Sequence, residues 1–277
     1  MSRDRRRDQR VAFRGIVDSM ERRRGMGAPL RNEFFRTRDG RYPMKELMST
    51  SSRGGGGRGG RTRILLYLSL LWVASGKGHE VQRPASFWSD LLLLGKDQAE
   101  GSRSVRSSWR DLEARGFVST RKAADAFDYE TPQVSPLRED GSGRAYEIPD
   151  GSSQAERYLR VPEAAWKYLF SDPELSGPGL VMYLVALSTA GRAQSSGGLV
   201  FPVARVQELY GVGRTTQKQG LKNLCFLDVL EKTILKADEV GERTTPGRRR
   251  AVYSFAPYLG PESVRPRGKE PQTRPSA

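Results

Sequence analysis

The feature that most constrains this chain is a pair of apolar helical segments that begin two similar stretches of sequence. Residues 65–71 (LLYLSLL) align with residues 181–187 (VMYLVAL), which places Tyr67 on Tyr183. Helices that are apolar on nearly every face are buried, so each segment predicts the centre of a core. Similar shorter segments follow both of them in the same order, which favours duplication of one structural unit. A chance likeness between two helical stretches is the alternative.

The first copy is predicted to contain three helices and a two-stranded hairpin. In chain order these are helices over 63–75, 84–94 and 102–115 and strands over 117–121 and 144–148. In the third helix Val105, Trp109 and Leu112 recur at i, i+4 and i+7, so one face packs inward. Gly116 is typical of a helix C-terminus, and the polar stretch 122–143 predicts a long loop between the strands.

The second copy is predicted to repeat this order. Its segments are helices over 180–190, 202–210 and 214–226 and strands over 227–235 and 249–255. Leu221 and Leu224 reproduce the inward spacing of the third helix. The exit from that helix differs, because Asp228 stands where the first copy has Gly116. Whether both copies make the same turn is therefore open.

The order helix, helix, helix, strand, loop, strand resembles the winged-helix variant of helix-turn-helix proteins. Residues 112–118 (LEARGFV) are close to the turn LE-x-x-G-hydrophobic-hydrophobic, which joins the recognition helix to the wing in many bacterial winged-helix proteins. Two such units in tandem are similar in layout to plasmid and phage replication initiators of the RepA/RepE kind. The resemblance implies a mainly α chain with small β-hairpins (α+β) and two winged-helix domains in tandem.

We expect five segments along the chain. They are a disordered basic Arg/Gly-rich tail over 1–61, a winged-helix domain over 62–150, a linking strand and helix over 151–175, a second winged-helix domain over 176–259 and a disordered tail over 260–277. The run 49–61 is too rich in glycine to fold alone. Phe13, Ile16, Val17 and Met20 have helical spacing, so a short basic amphipathic helix that orders on a partner is an alternative within the first tail.

The net charge of +15 indicates a polyanionic partner, and most of it lies near the N-terminus. Residues 1–63 hold 18 Lys and Arg against 7 Asp and Glu, whereas residues 64–277 hold 29 against 25. DNA binding by the folded part therefore has to depend on local cationic faces.

The resemblance implies that the third helix of each unit enters the major groove of DNA. Arg, Lys, Ser, Thr and Gln side chains can bond base edges or phosphates. The predicted DNA-binding residues are Arg103, Ser104, Arg106, Ser107 and Arg110 in the first unit, Arg214, Thr215, Thr216, Gln217, Lys218 and Lys222 in the second, and Arg248, Arg249 and Arg250 at the second wing. No acidic residue lies between Gly211 and Leu227, so the second unit is the better candidate. A solvated charged face is the alternative.

No catalytic, cofactor or metal site is expected. The chain has one histidine, His79, and one cysteine, Cys225, which is too few for a Cys/His zinc site. Cys225 lies on the apolar face of a predicted helix, so core packing is favoured over a reactive thiol. The longest apolar runs, 64–74 and 180–187, are shorter than the ~20 residues needed to cross a bilayer. We therefore expect no membrane partner.

These features together predict sequence-specific binding of double-stranded DNA by a bacterial, cytoplasmic protein associated with the nucleoid or a plasmid. The tandem layout favours a plasmid or phage replication initiator, and transcriptional regulation is the alternative. A winged-helix module that binds proteins, with a tail that binds RNA or DNA, is a third reading because the core is nearly neutral. Replication or transcription proteins are candidate partners, and a homodimer is left open.

Overall fold

The computed structural model describes residues 3–19, 27–49, 59–74, 79–121, 131–192, 198–236 and 249–261. About half of these residues are helical and the strands form small antiparallel sheets, so the chain belongs to the α+β class, as predicted. The helices are α1 (Arg3–Ser19), α2 (Pro43–Met48), α3 (Gly59–Val73), α4 (Ala85–Leu91), α5 (Gln98–Ala114), α6 (Ala164–Tyr168), α7 (Gly177–Arg192), α8 (Val203–Tyr210) and α9 (Arg214–Phe226). The strands are β1 (Ala28–Arg31), β2 (Val81–Gln82), β3 (Val118–Arg121), β4 (Gln133–Pro136), β5 (Tyr158–Val161), β6 (Leu230–Lys236) and β7 (Arg249–Phe255).

In the first unit α3 and α5 pack against a three-stranded sheet of order β2-β4-β3, and α4 packs against α5. Strand β4 is central, because Val134 pairs with Val81 on one side and with Thr120 on the other. The predicted return strand over 144–148 is wrong: that segment makes a single bridge, from Ala145 to Leu137. The sequence did not indicate the strand that forms instead, β4. Proline has no backbone N–H to donate between strands, so a segment that ends in Pro136 is more typical of a loop.

The second unit has the same element order, from α7 through α8 and α9 to β6 and β7. Leu199 pairs with Tyr253 of β7 through two backbone hydrogen bonds, with N···O distances of 2.7 and 2.8 Å. Leu199 thus takes the place that β2 has in the first unit, and β7 lies between it and β6. The connectivity and the strand order of the two units are therefore the same in the part of the chain that is described.

Both units leave their third helix through the same turn. Gly116 has φ +74° and Asp228 has φ +52°, both in the left-handed region. In each case the next residue closes the helix: the amide of Phe117 donates to Leu112 O at 3.0 Å, and that of Val229 to Leu224 O at 2.9 Å. Aspartate tolerates this conformation better than most residues, so the missing glycine does not change the turn.

The two aligned tyrosines also hold equivalent places. The hydroxyl of Tyr67 donates to Leu137 O at 2.7 Å, and that of Tyr183 donates to Leu259 O at 3.0 Å. Both carbonyls follow the return strand of their unit. Burial raises the pKa of each hydroxyl well above its usual value, so both remain neutral donors. Each first helix is thereby fixed to the end of its own sheet.

The expectation of a disordered tail over 1–61 is wrong for residues 3–19 and 27–49, and for residues 59–61, which begin α3. Helix α1 buries Ala12 and Ile16, and Phe13 contacts Trp72 of α3 with ring centroids 5.7 Å apart. Leu30 and Phe34 are fully buried, together with Phe35, Met44 and Leu47. The average composition of residues 1–61 did not indicate these apolar side chains, because they are few among many arginines. The helix spacing of Phe13, Ile16 and Val17 was the correct signal, while Met20, most of 49–61 and residues 262–277 lie outside the described residues.

A buried ion cluster fastens the N-terminal segment to the rest of the molecule. Arg31 of β1 is 1% exposed, and its guanidinium bonds Glu139 Oε2 and Glu156 Oε2, both at 2.7 Å. It also donates to Glu147 O at 2.7 Å and lies over the ring of Tyr146. Burial lowers the pKa of Arg31, but the two carboxylates outweigh it and the net shift is upward. The guanidinium therefore stays charged inside the fold.

Replacing Arg31 with Met is expected to cost about 3–5 kcal/mol of unfolding free energy, because it leaves the buried carboxylate of Glu139 without its cation. The double variant Arg31→Met with Glu139→Leu should cost less than the sum of the two single variants, since neither charge is then stranded. Urea unfolding of the four proteins measures the coupling. Additive costs would show that the pair does not act as a unit.

Gly116→Ala should destabilise the protein by about 1–2 kcal/mol, because an L side chain is strained in the left-handed region. The added Cβ would also lie 3.0 Å from Gly141 O. Asp228→Gly should have the opposite sign or be neutral, since it relieves the same backbone strain in the second unit. Thermal and urea unfolding compare the two, and a destabilising Asp228→Gly would contradict the shared turn.

Candidate nucleic-acid interface

Helices α5 and α9 align position by position at a separation of 112 residues. Val105 and Trp109 are buried on α5, and Gln217 and Leu221 hold the same buried positions on α9. Two cations are then exposed at equivalent positions of both helices, Arg106 with Lys218 and Arg110 with Lys222. The packing that turns one face of each helix inward therefore turns the same two charges outward.

In the first unit these cations line a groove between α5 and the β3–β4 hairpin. The groove has a volume of about 880 Å³ and its lining includes Arg103, Arg106, Ser107, Trp109, Arg110, Glu113, Thr120 and Arg121. Glu113 is the one acid of this lining. Its carboxylate already accepts two hydrogen bonds, because Oε1 accepts from the backbone amide and the hydroxyl of Thr120 at 2.8 and 2.6 Å. The groove thus carries four arginines against one carboxylate.

The second unit has a groove in the same place, between α9 and the β6–β7 hairpin. Its volume is about 500 Å³, and its lining is Val203, Arg214, Gln217, Lys218, Leu221, Lys222, Cys225, Lys232 and Tyr253. Cys225 and Lys232 stand where the first unit has Glu113 and Thr120, so this groove carries four cations and no acid. Burial raises the pKa of the Cys225 thiol, which keeps it neutral.

The N-termini of the two helices differ. Helix α5 begins four residues before the predicted start, and Asp97 caps it by accepting from the amide of Glu100 at 2.7 Å. The carboxylates of Asp97 and of Glu100, which lies in the first turn, neutralise the positive end of the helix dipole. Helix α9 begins after Gly213 with no side-chain cap, and its first turn carries no acid. The start of α9 therefore suits an anion better than the start of α5 does.

The structure brings most of the predicted site residues to the surface. Those on the exposed faces are Arg103, Arg106, Ser107, Arg110, Arg214, Thr215, Lys218, Lys222 and Arg249, and those half-buried are Ser104, Thr216 and Arg250. Arg248 lies outside the described residues. The two third helices thus present their predicted cations on a single side each.

The prediction for Gln217 is wrong. Its side chain is 6% exposed, and its Nε2 donates to Phe201 O at 2.7 Å, so it helps to anchor α9 on the chain before α8. The exposed glutamine of α9 is Gln219. Helical spacing contains the signal that separates them, because residue 217 lies four positions before Leu221 on the inward stripe. Arg121 and Lys232 are groove cations that sequence reasoning missed, since only the folded hairpins bring them to the helices.

Within the described ranges no group of three or more His, Cys, Asp or Glu side chains is placed to hold a metal ion. Among the helices of the same residues, none has the length and apolar character needed to cross a membrane. Comparison of the chain with protein-family models, curated proteins and solved structures found no match.

Gln217→Ala is expected to lower the unfolding free energy by about 1–2 kcal/mol, because it removes a buried hydrogen bond and leaves Phe201 O without that donor. Gln219→Ala removes the same side chain from the exposed face of the same helix and should change stability by less than about 0.5 kcal/mol. Urea unfolding measures the two unfolding free energies and so compares the buried glutamine with the exposed one. Equal costs would contradict the inward placement of Gln217.

Proposed function

We propose that this protein binds double-stranded DNA in a sequence-specific manner through two winged-helix units in tandem. The observation that carries the proposal is the repeated surface: two units of the same connectivity expose cations at equivalent positions of their third helices, beside equivalent basic grooves. The same two charges at equivalent positions of both copies support a common ligand over a solvated charged face. In this geometry the third helix lies in the major groove and the hairpin contacts the flanking backbone.

The equivalent positions divide into two classes with different roles. Arg106 with Lys218 and Arg110 with Lys222 keep their charge in both units, which suits contacts to phosphate oxygens that every sequence offers. The neighbouring exposed positions differ, with Arg103 in place of Thr215 and Ser107 in place of Gln219. Arginine favours guanine and glutamine favours adenine in the major groove. The two units would therefore read two different half-sites.

The second unit makes the principal contact in this proposal. Its groove lacks the carboxylate that Glu113 contributes to the first groove, and the first turn of α9 lacks the acids that begin α5. Each difference lowers the local negative potential that opposes DNA. The first unit then adds affinity and length to the site, because two linked modules bind with a raised effective concentration.

A plasmid or phage replication initiator is the role we propose for such a tandem DNA-binding protein. A transcriptional regulator would use the same contacts. Iterated copies of the bound sequence beside the gene favour initiation, and a single site within a promoter favours regulation.

Selection of bound duplexes from a random pool provides the preferred site on which variants are compared. Replacing Arg214 and Lys218 with Ala should weaken binding to that site by about 2 kcal/mol more than binding to random duplex, because the base contact of Arg214 is lost in addition to the phosphate contact of Lys218, which both duplexes share. Fluorescence anisotropy at fixed salt measures both affinities.

The matched control is Arg36→Ala with Arg38→Ala, which removes the same charge from exposed arginines that line neither groove. This variant should lose little and should lose it equally on both duplexes. If selection enriches no sequence, specific binding is refuted and the protein-interaction reading takes its place. Equal losses for the two double variants would refute the assignment to α9.

A further inference from the structure

A second basic surface lies away from the third helices, where α1 meets α6. Helix α1 is seated by its buried stripe, Gln9, Ala12 and Ile16. Beneath it, the indoles of Trp72 and Trp166 stack with centroids 4.5 Å apart, and Trp166 Nε1 donates to Ser69 Oγ at 2.9 Å. Phe13 of α1 contacts Trp72 with ring centroids 5.7 Å apart, so the helix lies on this aromatic floor and leaves a groove along one of its edges.

The groove has a volume of about 600 Å³ and combines cations with aromatic rings. Its lining is Gln9, Arg10, Phe13, Arg14, Val17, Asp18, Lys167 and Tyr168. Arg10 and Arg14 are exposed one helical turn apart, with a rise of about 6 Å between them. Lys167 faces them from α6. Asp18 is the acid of the lining, and it is already engaged in an interaction of its own.

Two exposed tyrosines lie at the groove: Tyr168 is part of its lining, and Tyr258 contacts Tyr168. The side chain of Tyr168 is 52% exposed and that of Tyr258 is 49% exposed. Their rings meet edge to face with centroids 5.3 Å apart, and Lys167 Nζ lies 4.8 Å from the centroid of Tyr168. A packed core would bury such rings, so their exposure next to three cations favours a ligand that has both anionic and flat aromatic parts.

We propose that this groove binds single-stranded nucleic acid. Arg10, Arg14 and Lys167 would contact successive phosphates, and an unpaired base would stack on Tyr168, which is the combination that sequence-tolerant single-strand sites use. Duplex DNA fits less well, because its bases are stacked inside and offer no free face to the tyrosine. The proposal does not rest on duplex recognition by α5 and α9, since it uses neither helix.

The test measures binding of a labelled oligothymidylate by fluorescence anisotropy, with a duplex of the same length as the comparison. Arg10→Gln with Arg14→Gln should weaken binding of the single strand about tenfold, and Tyr168→Ala should do the same. Tyr168→Phe should retain most of the affinity, because it keeps the stacking face. Circular dichroism and urea unfolding confirm that each variant is folded.

The matched control is Arg6→Gln with Arg7→Gln, which removes two exposed arginines from the same helix but outside the groove lining. It should lose less than threefold. Equal losses for the two arginine pairs, or full affinity in Tyr168→Ala, would overturn the proposal. The proposal would also be overturned if Tyr168→Ala weakened binding of the duplex, or of vesicles that contain phosphatidylserine, more than it weakened binding of the single strand.

The double variant Arg214→Ala with Lys218→Ala keeps the two proposals apart. It should leave binding of the single strand unchanged while it weakens binding of the preferred duplex. If selection enriches no duplex sequence, the single-strand proposal is still tested by the affinity of Tyr168→Ala and by the comparison of the two arginine pairs. If the single strand binds at α9 instead, the loss appears in the α9 variant and the groove proposal is refuted.

Discussion

The buried guanidinium of Arg31 is the interaction on which the architecture around the first unit depends. It joins strand β1 to Glu139, which follows the β3–β4 hairpin, and to Glu156, which precedes β5. A buried ion pair is costly unless both charges are satisfied, and here the backbone amide of Arg31 also donates to Glu139 at 3.2 Å. The N-terminal segment, the loop after the hairpin and the link to the second unit are therefore held in one arrangement.

Around this cluster the molecule repeats one small unit twice and then lets the copies diverge at the surface. The shared parts are those that packing and backbone geometry require: a tyrosine hydroxyl on a carbonyl, a left-handed turn at Gly116 or Asp228, and a central return strand. The differences fall on exposed positions, such as Arg103 and Thr215, and also on buried ones, where Gln217 and Leu221 stand in place of Val105 and Trp109. The backbone geometry of the unit is therefore the same with different side chains in its core and on its surface.

Helix α1 shows how an arginine-rich segment can become part of the fold. Its apolar stripe is short, but Phe13 and Ile16 meet an aromatic floor that already exists, so few side chains are enough to dock it. Arg5 adds a hydrogen bond to Leu94 O at 2.9 Å, at the turn between α4 and α5. Docking thereby fixes the backbone that carries the outward arginines, which in the proposed single-strand site lowers the entropic cost of binding.

The sequence by itself determined the helices and most strands of both units, because apolar side chains at helical or alternating spacing report which face is buried. It also determined the outward cations of α5 and α9, which follow from the inward positions of Trp109 and Leu221. Tertiary structure alone decided the rest. It chose β4 over residues 144–148, and it brought Lys232 and Tyr168 beside distant partners. Local spacing contains no information on these choices, since each depends on contacts between residues far apart in the chain.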